Sequence, residues 1–281
     1  MLKQRVITAI VLLLILLPAL FYQSPVPFCV IALVLIAAGA WEWARLNQYS
    51  SAASLFSGCI VSVACVVTWW LGLLEQSLPL LWILTGAAWV LGSAWVLYCG
   101  VSTWSSHPRA IRLMAGLFAL WLAWLAVAQA RVLGINFLLS ILVLVWVADI
   151  GAYFAGRALG GRFSKVKLAP SISPGKSWEG VWGGMAGVFL LAFFWRWADI
   201  AWGNVVPSFY TYLGHKGIFF LLIAVVFMAA MSVVGDLFES LVKRSAGVKD
   251  SSALLPGHGG VLDRVDALLP TLPLAMMLYS L

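Results

Sequence analysis

The sequence predicts an all-α fold, a polytopic integral membrane bundle of about nine transmembrane helices with its N-terminus in the cytoplasm. Three observations predict it. Hydrophobic residues make up 63% of the 281 and charged ones only 10%, with a mean hydropathy of +1.02, whereas soluble domains carry about 25% charged residues. Apolar runs of about 18 residues or more, enough to cross a hydrocarbon core of ~30 Å, recur along the chain. Finally, basic residues alternate sides: 14 of the 17 fall in segments that share a side with the N-terminus, and only Arg131, Arg196 and Lys216 fall opposite. That bias places the N-terminus inside. It also accounts for the net charge of +7 without nucleic acid as a partner.

The expected spans lie near 5–22, 27–45, 53–74, 78–99, 110–131, 134–155, 178–198, 217–240 and 261–280. The first follows Lys3 and Arg5 as a secretory signal would, but no small-x-small cleavage pattern follows and the next span begins at once, so it is read as retained. Spans one to five are poor in ionisable groups, so residues 1–133 read as scaffold helices. Residues 134–281 read as the catalytic region, with loops at 156–177 and 241–260. The four cysteines all lie in apolar segments without metal-ligand spacing and read as small buried hydrophobes, not disulfides. The sixteen tryptophans read as an interfacial belt plus helix packing, not as a ligand box.

Span six carries Asp149 near its cytoplasmic end. A carboxylate at membrane depth costs a few kcal/mol, so it marks function unless it pairs with Arg157 or caps a helix. The basic loop that follows contains Gly175, Lys176 and Ser177, the close of a phosphate-binding P-loop. Pro170 stands where that motif needs its first glycine and no strand precedes it, so a Walker site is rejected. What remains is Ser173, Lys176 and Ser177 just before a helix start, a place suited to a phosphate.

Span eight ends with Asp236, Glu239, Lys243 and Arg244, and span nine begins with Asp263, Arg264 and Asp266. Positions 236, 239, 240 and 243 share one helical face, and Asp263 and Asp266 repeat the i, i+3 spacing. Like-charged carboxylates crowded in a low dielectric repel unless a cation separates them. Lys243, Arg244 and Arg264 could serve, or a divalent ion with oxygen ligands, for which Mg²⁺ shared with substrate phosphates fits best. No Cys/His set suggests zinc. Gly257, His258 and Gly260 add bare backbone suited to a phosphate. Carboxylates for Mg²⁺, phosphate-binding loops and a basic rim on a membrane bundle point to phosphoryl or nucleotidyl transfer involving a lipid.

The stretch from Ser240 to Asp266, with Lys243, Arg244, Lys249, Asp250, His258, Asp263, Arg264 and Asp266 in place, resembles the signature of phosphatidate cytidylyltransferases. Ser173 to Gly180 resembles that family's upstream loop, and Asp149 to Arg157 its intramembrane acidic segment. The resemblance covers roughly residues 145–270. It implies a Mg²⁺-dependent reaction in phospholipid biosynthesis, CTP plus phosphatidate giving CDP-diacylglycerol and pyrophosphate. It also implies a homodimeric enzyme of the inner membrane with its site towards the cytoplasm, and a second ion such as K⁺ at the metal centre.

Joining the two lines, Asp236, Asp263 and Asp266 are expected to hold the metal, with Glu239 an accessory ligand or a neighbour of the ligands. Lys176, Arg244, Lys249 and Arg264 are expected on the triphosphate and lipid phosphate, Lys249 counted with the catalytic aspartates. Ser173, Ser177, Lys243, His258 and Asp149 are the remaining candidate substrate contacts, His258 as an anion donor in preference to a base. A transporter predicts pseudo-symmetric polar halves, which this chain lacks. A CDP-alcohol phosphotransferase predicts its aspartate pair one residue further apart than Asp263 and Asp266.

Overall fold

The computed structural model describes residues 2–281, and among them the ordered elements are helices alone. They are α1 (Leu2–Phe21), α2 (Val26–Leu46), α3 (Ser51–Trp70), α4 (Pro79–Ser106), α5 (Arg109–Leu133), α6 (Ile135–Leu159), α7 (Trp178–Trp202), α8 (Phe209–His215), α9 (Ile218–Ser245), α10 (Leu262–Val265) and α11 (Leu268–Ser280). Eight of these, α1 to α7 and α9, are long and apolar enough to cross a membrane. Polar residues mark their starts: Ser50, Ser177 and Ser208 each accept a backbone N–H from the first turn of α3, α7 and α8. Helices α6 and α9 run further than expected, to Leu159 and Ser245, so the connecting loops shrink to 160–177 and 246–261. All four cysteines are free; Cys29 and Cys65 are buried as expected, but Cys59 is exposed on the outside of the bundle.

The ninth expected span, 261–280, is not one continuous helix. It is broken into α10 and the 13-residue α11 by a turn at Asp266 and Ala267. The cause lies in the sequence: Pro270 has no N–H to give the carbonyl of Asp266 one turn earlier, and its ring crowds that carbonyl. At ~1.5 Å per residue α11 spans about 20 Å, and it is apolar nearly all round because Leu269 to Ala275 are walled in by protein. It packs against α4, α5 and α9. Its far end is held by Lys216, whose Nζ donates to the carbonyls of Leu278 (2.9 Å) and Tyr279 (3.1 Å).

Helices α6 and α7 approach with almost no side chain between them. A Cβ added to Gly183 would lie 2.1 Å from that of Ala155, and one on Gly184 would lie 2.7 Å from the Ala148 carbonyl oxygen. Small residues permit this, and close van der Waals packing is what joins helices in lipid. The expected division at residue 133 falls on the turn at Gly134. The two halves nevertheless pack as one bundle, with α4 and α5 against α9 and α11. The start of α1 also meets the motif loop: Arg5 Nε donates to the Gly257 carbonyl (2.8 Å) and Thr8 Oγ to that of Pro256 (2.9 Å). The head of α1 and the motif therefore share one side of the bundle.

Candidate active site

Part of the second half's polar complement lines a cavity of about 450 Å³ between α6, the start of α7 and α9. Its wall includes Asp149, Tyr153, Arg157, Lys176, Ser177 and Asp236. Each side chain has a reason to be there. The loop carrying Lys176 is folded by a turn in which Ser173 N–H donates to the Ala169 carbonyl (2.8 Å) and Lys176 N–H to that of Ser173 (3.2 Å). Ser177 caps α7 by accepting the Gly180 N–H at 3.2 Å. Glu179, buried in the first turn, accepts N–H bonds from Phe163 (3.0 Å) and Ser164 (2.7 Å) and so pins the far side of the same loop. Lys176 Nζ then lies 2.6 Å from Asp236 Oδ2. Asp149 and Arg157 do not pair; Arg157 instead donates to the Tyr153 hydroxyl at 3.1 Å.

Beside Asp236, the chain of α9 is bare at Gly235, and a Cβ there would come within 2.6 Å of the Asp266 carbonyl oxygen. That approach sets the α10–α11 break against α9 and puts two carboxylates together. Burial, and then the charge of Asp236, push Asp266 up to about 7; its Oδ1 accepts only the N–H of Ala267, at 2.8 Å. Lys176 supplies a cation on the Asp236 side of this pair.

The other two expected metal ligands have different company. Lys243 forms ion pairs with both Glu239 and Asp263, the latter at 2.6 Å. Asp263 Oδ2 also accepts the N–H of Ser251 (2.9 Å), the hydroxyl of Ser251 (2.8 Å) and the N–H of Gly260 (2.7 Å). Burial opposes ionisation of Asp263, but the Lys243 ammonium and these N–H bonds outweigh it and hold the carboxyl below the usual range. The expected four-carboxylate set therefore divides into an Asp236–Asp266 pair and a Lys243-neutralised Glu239–Asp263 pair. Among the described residues no three His, Cys, Asp or Glu side chains are gathered as a metal-holding group. Mg²⁺ needs only one or two carboxylates when substrate phosphates complete its shell. Asp236 and Asp266 fit that role if Asp236 exchanges Lys176 for the ion, whereas Glu239 and Asp263 would both have to give up Lys243.

Several other expectations change. Lys243 is an internal counterion, buried between its two partners. Much of the backbone around His258 is already committed, while the His258 ring Nδ1 is buried without a partner. The His258 N–H donates to Leu255 (2.8 Å), that of Gly260 to Asp263, and those of Val261 and Leu262 to Glu42. Gly257 and Gly259, at φ of 76° and 85°, hold this tight turn in a conformation that other residues rarely adopt. The His258 carbonyl accepts both bonds of Arg264, at 2.7 and 3.1 Å. Arg244 ties the two loops together, donating to the carbonyls of Ile172 (3.3 Å) and Val248 (3.1 Å). Lys249 is exposed beyond them.

Glu42 of α2 escaped the sequence reading. It is 0% exposed and faces four donors of the motif, of which the Ser251 hydroxyl shares its one proton with Asp263 Oδ2. The four are the Ser251 and Ser252 hydroxyls, at 3.1 and 2.5 Å, and the Val261 and Leu262 N–H groups, at 2.9 and 2.8 Å. A carboxylate alone in an apolar span was the signal that could have found it.

A bundle of apolar spans whose carboxylates and lysine meet in one cavity defines an integral membrane enzyme for charged substrates. Comparison with known proteins supplies the chemistry. The cytidylyltransferase family profile matches residues 3–281, and the chain belongs to that family; it is a nucleotidyltransferase. The phosphatidate cytidylyltransferase of Pseudomonas aeruginosa is 39% identical over 286 residues, covering 100% of this chain and 98% of its own. That of Haemophilus influenzae is 39% identical over 305 residues, with 99% of both chains covered. That of Brucella suis is 37% identical over 281 residues, covering 99% of this chain and 92% of its own.

Proposed function

We propose that this protein transfers the cytidylyl group of CTP to phosphatidate, giving CDP-diacylglycerol and pyrophosphate for phospholipid synthesis. The observation that carries the reading is the cavity of about 450 Å³ in which Lys176 meets Asp236, with Asp149, Arg157 and Ser177 around them. In this reading Lys176, Arg157 and the capped start of α7 bind the triphosphate, where ammonium, guanidinium and helix dipole all favour an anion. The phosphatidate oxygen attacks the α-phosphorus as the bond to the pyrophosphate oxygen breaks. The nucleophile is already an anion, so no residue need remove a proton. Asp236 and Asp266 would hold Mg²⁺, which when bound would neutralise charge on the phosphates. Glu239 and Asp263 act through Lys243, fixing α9 against the motif loop so that Asp236 and Asp266 stay adjacent.

The positive-inside bias supports a site facing the cytoplasm, and the bacterial relatives support the inner membrane. A homodimer and a second ion such as K⁺ rest on the family resemblance alone. The test is purified protein with radiolabelled CTP and phosphatidate vesicles, with and without Mg²⁺. A lipid-soluble cytidine product that requires both phosphatidate and Mg²⁺ is expected. Equal product with the metal chelated would remove Mg²⁺ from the reading, and no lipid product in any condition would remove the reaction.

A further inference from the structure

The connection from α6 to α7 begins with a short stretch whose chemistry the polar cavity does not use. From residue 150 to 178 the chain holds five basic residues and no acidic one. Arg157 and Lys176 line the cavity. Arg162, Lys165 and Lys167 are exposed outside it, and none of the three has an ion-pair partner among the described residues. Two apolar side chains stand between these cations, and both are open: Phe163 is 73% exposed and Val166 70%. Topology alone accounts for cations in a loop on this side, but not for the bare apolar groups set among them.

The fold sets the height of this stretch. Gly161, at φ of 79°, turns the chain back as it leaves α6, and the Arg162 N–H returns to the Leu159 carbonyl at 2.9 Å. Glu179, in the first turn of α7, then accepts the N–H groups of Phe163 and Ser164. Phe163 is thereby held level with the end of the α7 span, where Trp178 is also 40% exposed. That is the headgroup level, favoured by aromatic rings. The Ser164 hydroxyl, donating to the Val166 carbonyl at 3.0 Å, keeps the turn that follows. Beyond it the stretch meets the site: Leu168 N–H donates to the Lys176 carbonyl (3.3 Å), and Lys167 Nζ to that of Pro174 (2.8 Å).

We infer that residues 162–167 form a seat on the anionic cytoplasmic leaflet of the protein's own bilayer. Phe163 and Val166 dip to the boundary between headgroups and acyl chains, as the apolar face of an interfacial segment does. Arg162, Lys165 and Lys167 stay at the surface, where the negative potential of the leaflet attracts each cation about fivefold. The partner is the charge of the lipid surface and no single lipid species, and the assignment does not depend on the proposed reaction. Through Lys167 and Leu168 the seat braces the stretch that presents Lys176, so leaflet composition reaches the wall of the polar cavity.

The test places one nitroxide on the full-length protein, at Val166→Cys. Cys59→Ala and Cys99→Ala remove the accessible thiols, while Cys29 and Cys65 are buried. The labelled protein is put into nanodiscs of phosphatidylcholine, with or without phosphatidylglycerol. Power-saturation EPR then compares collisions with oxygen, which concentrates in the acyl region, and with an uncharged, water-soluble nickel chelate. With phosphatidylglycerol the label is expected to be shielded from nickel and open to oxygen, and in phosphatidylcholine alone it should be more open to nickel. Arg162→Gln combined with Lys165→Gln should release it even over phosphatidylglycerol, by about fivefold in the seated-to-free ratio for each charge removed. The backbone N–H groups that serve Glu179 remain in that variant, and the lipid comparison tests the same point with both cations in place. A label equally open to nickel in both bilayers would overturn the inference. So would equal shielding in both, as a loop covered by protein would give, or shielding indifferent to the double substitution.

Discussion

Replacing Glu42 with glutamine is the most informative perturbation of the bundle. Both oxygens of this buried carboxylate are in use, Oε1 accepting from Ser252 and the Val261 N–H, Oε2 from Ser251 and the Leu262 N–H. The amide of glutamine keeps one acceptor oxygen and turns an NH₂ towards the other pair. A serine hydroxyl can rotate to accept from that NH₂, but a backbone N–H cannot, so one of Val261 and Leu262 is left unsatisfied. An orphaned buried donor costs about 1–3 kcal/mol, and hydrogen bonds to a charged acceptor are worth about 1.5–3 kcal/mol each. Part of that loss is offset because the amide no longer buries a charge, leaving a net cost of about 2–4 kcal/mol. The readouts are the thermal midpoint of the purified protein in detergent and the rate of limited proteolysis within residues 249–260. A fall of roughly 5 °C or more, with faster cleavage in that loop, is expected. A midpoint and cleavage rate both matching the parent would refute the idea that Glu42 anchors the motif.

Lys243→Met should be among the most damaging single changes, about 3–5 kcal/mol, because it strands Glu239 and Asp263 in low dielectric without a cation; chemical denaturation in micelles reads this directly. Lys176→Ala should raise the KM for CTP while leaving the fold intact, since its ion pair with Asp236 is partly exposed and such pairs stabilise by only about 1 kcal/mol or less. An unchanged CTP saturation curve would reduce the loop to a topological anchor. Asp263→Asn should keep the protein in the membrane yet abolish CTP-dependent pyrophosphate release by freeing Lys243 and Ser251, and near-normal turnover would remove Asp263 from the machinery.

Much of this was legible in the sequence, and the failures have physical causes. Eight spans could be read from length and hydropathy because a lipid-crossing helix has only one way to satisfy its backbone. Periodicity could not separate the ninth from them, since a helix buried on all sides by protein is as apolar as one bathed in lipid. Pro270 next to the charged start Asp263, Arg264 and Asp266 is what sets this segment apart in the sequence. The clustering of charge between Asp236 and Asp266 located the polar end of the bundle, but spacing along one helix could not say which carboxylate meets which cation. Lys243 settles that by reaching both Glu239, four residues back, and Asp263, twenty residues on. Glu42 was hardest to read because its partners lie 209 to 220 positions away, with no local pattern to announce them.

The contacts of Arg5 and Thr8 with the carbonyls of Gly257 and Pro256 bear on how the molecule is born. Helix α1 holds donors whose acceptors lie some 250 residues further along the sequence, so these contacts can form only after the motif loop has been synthesised. Closure of the motif loop is then a late event, and α1 is its clasp.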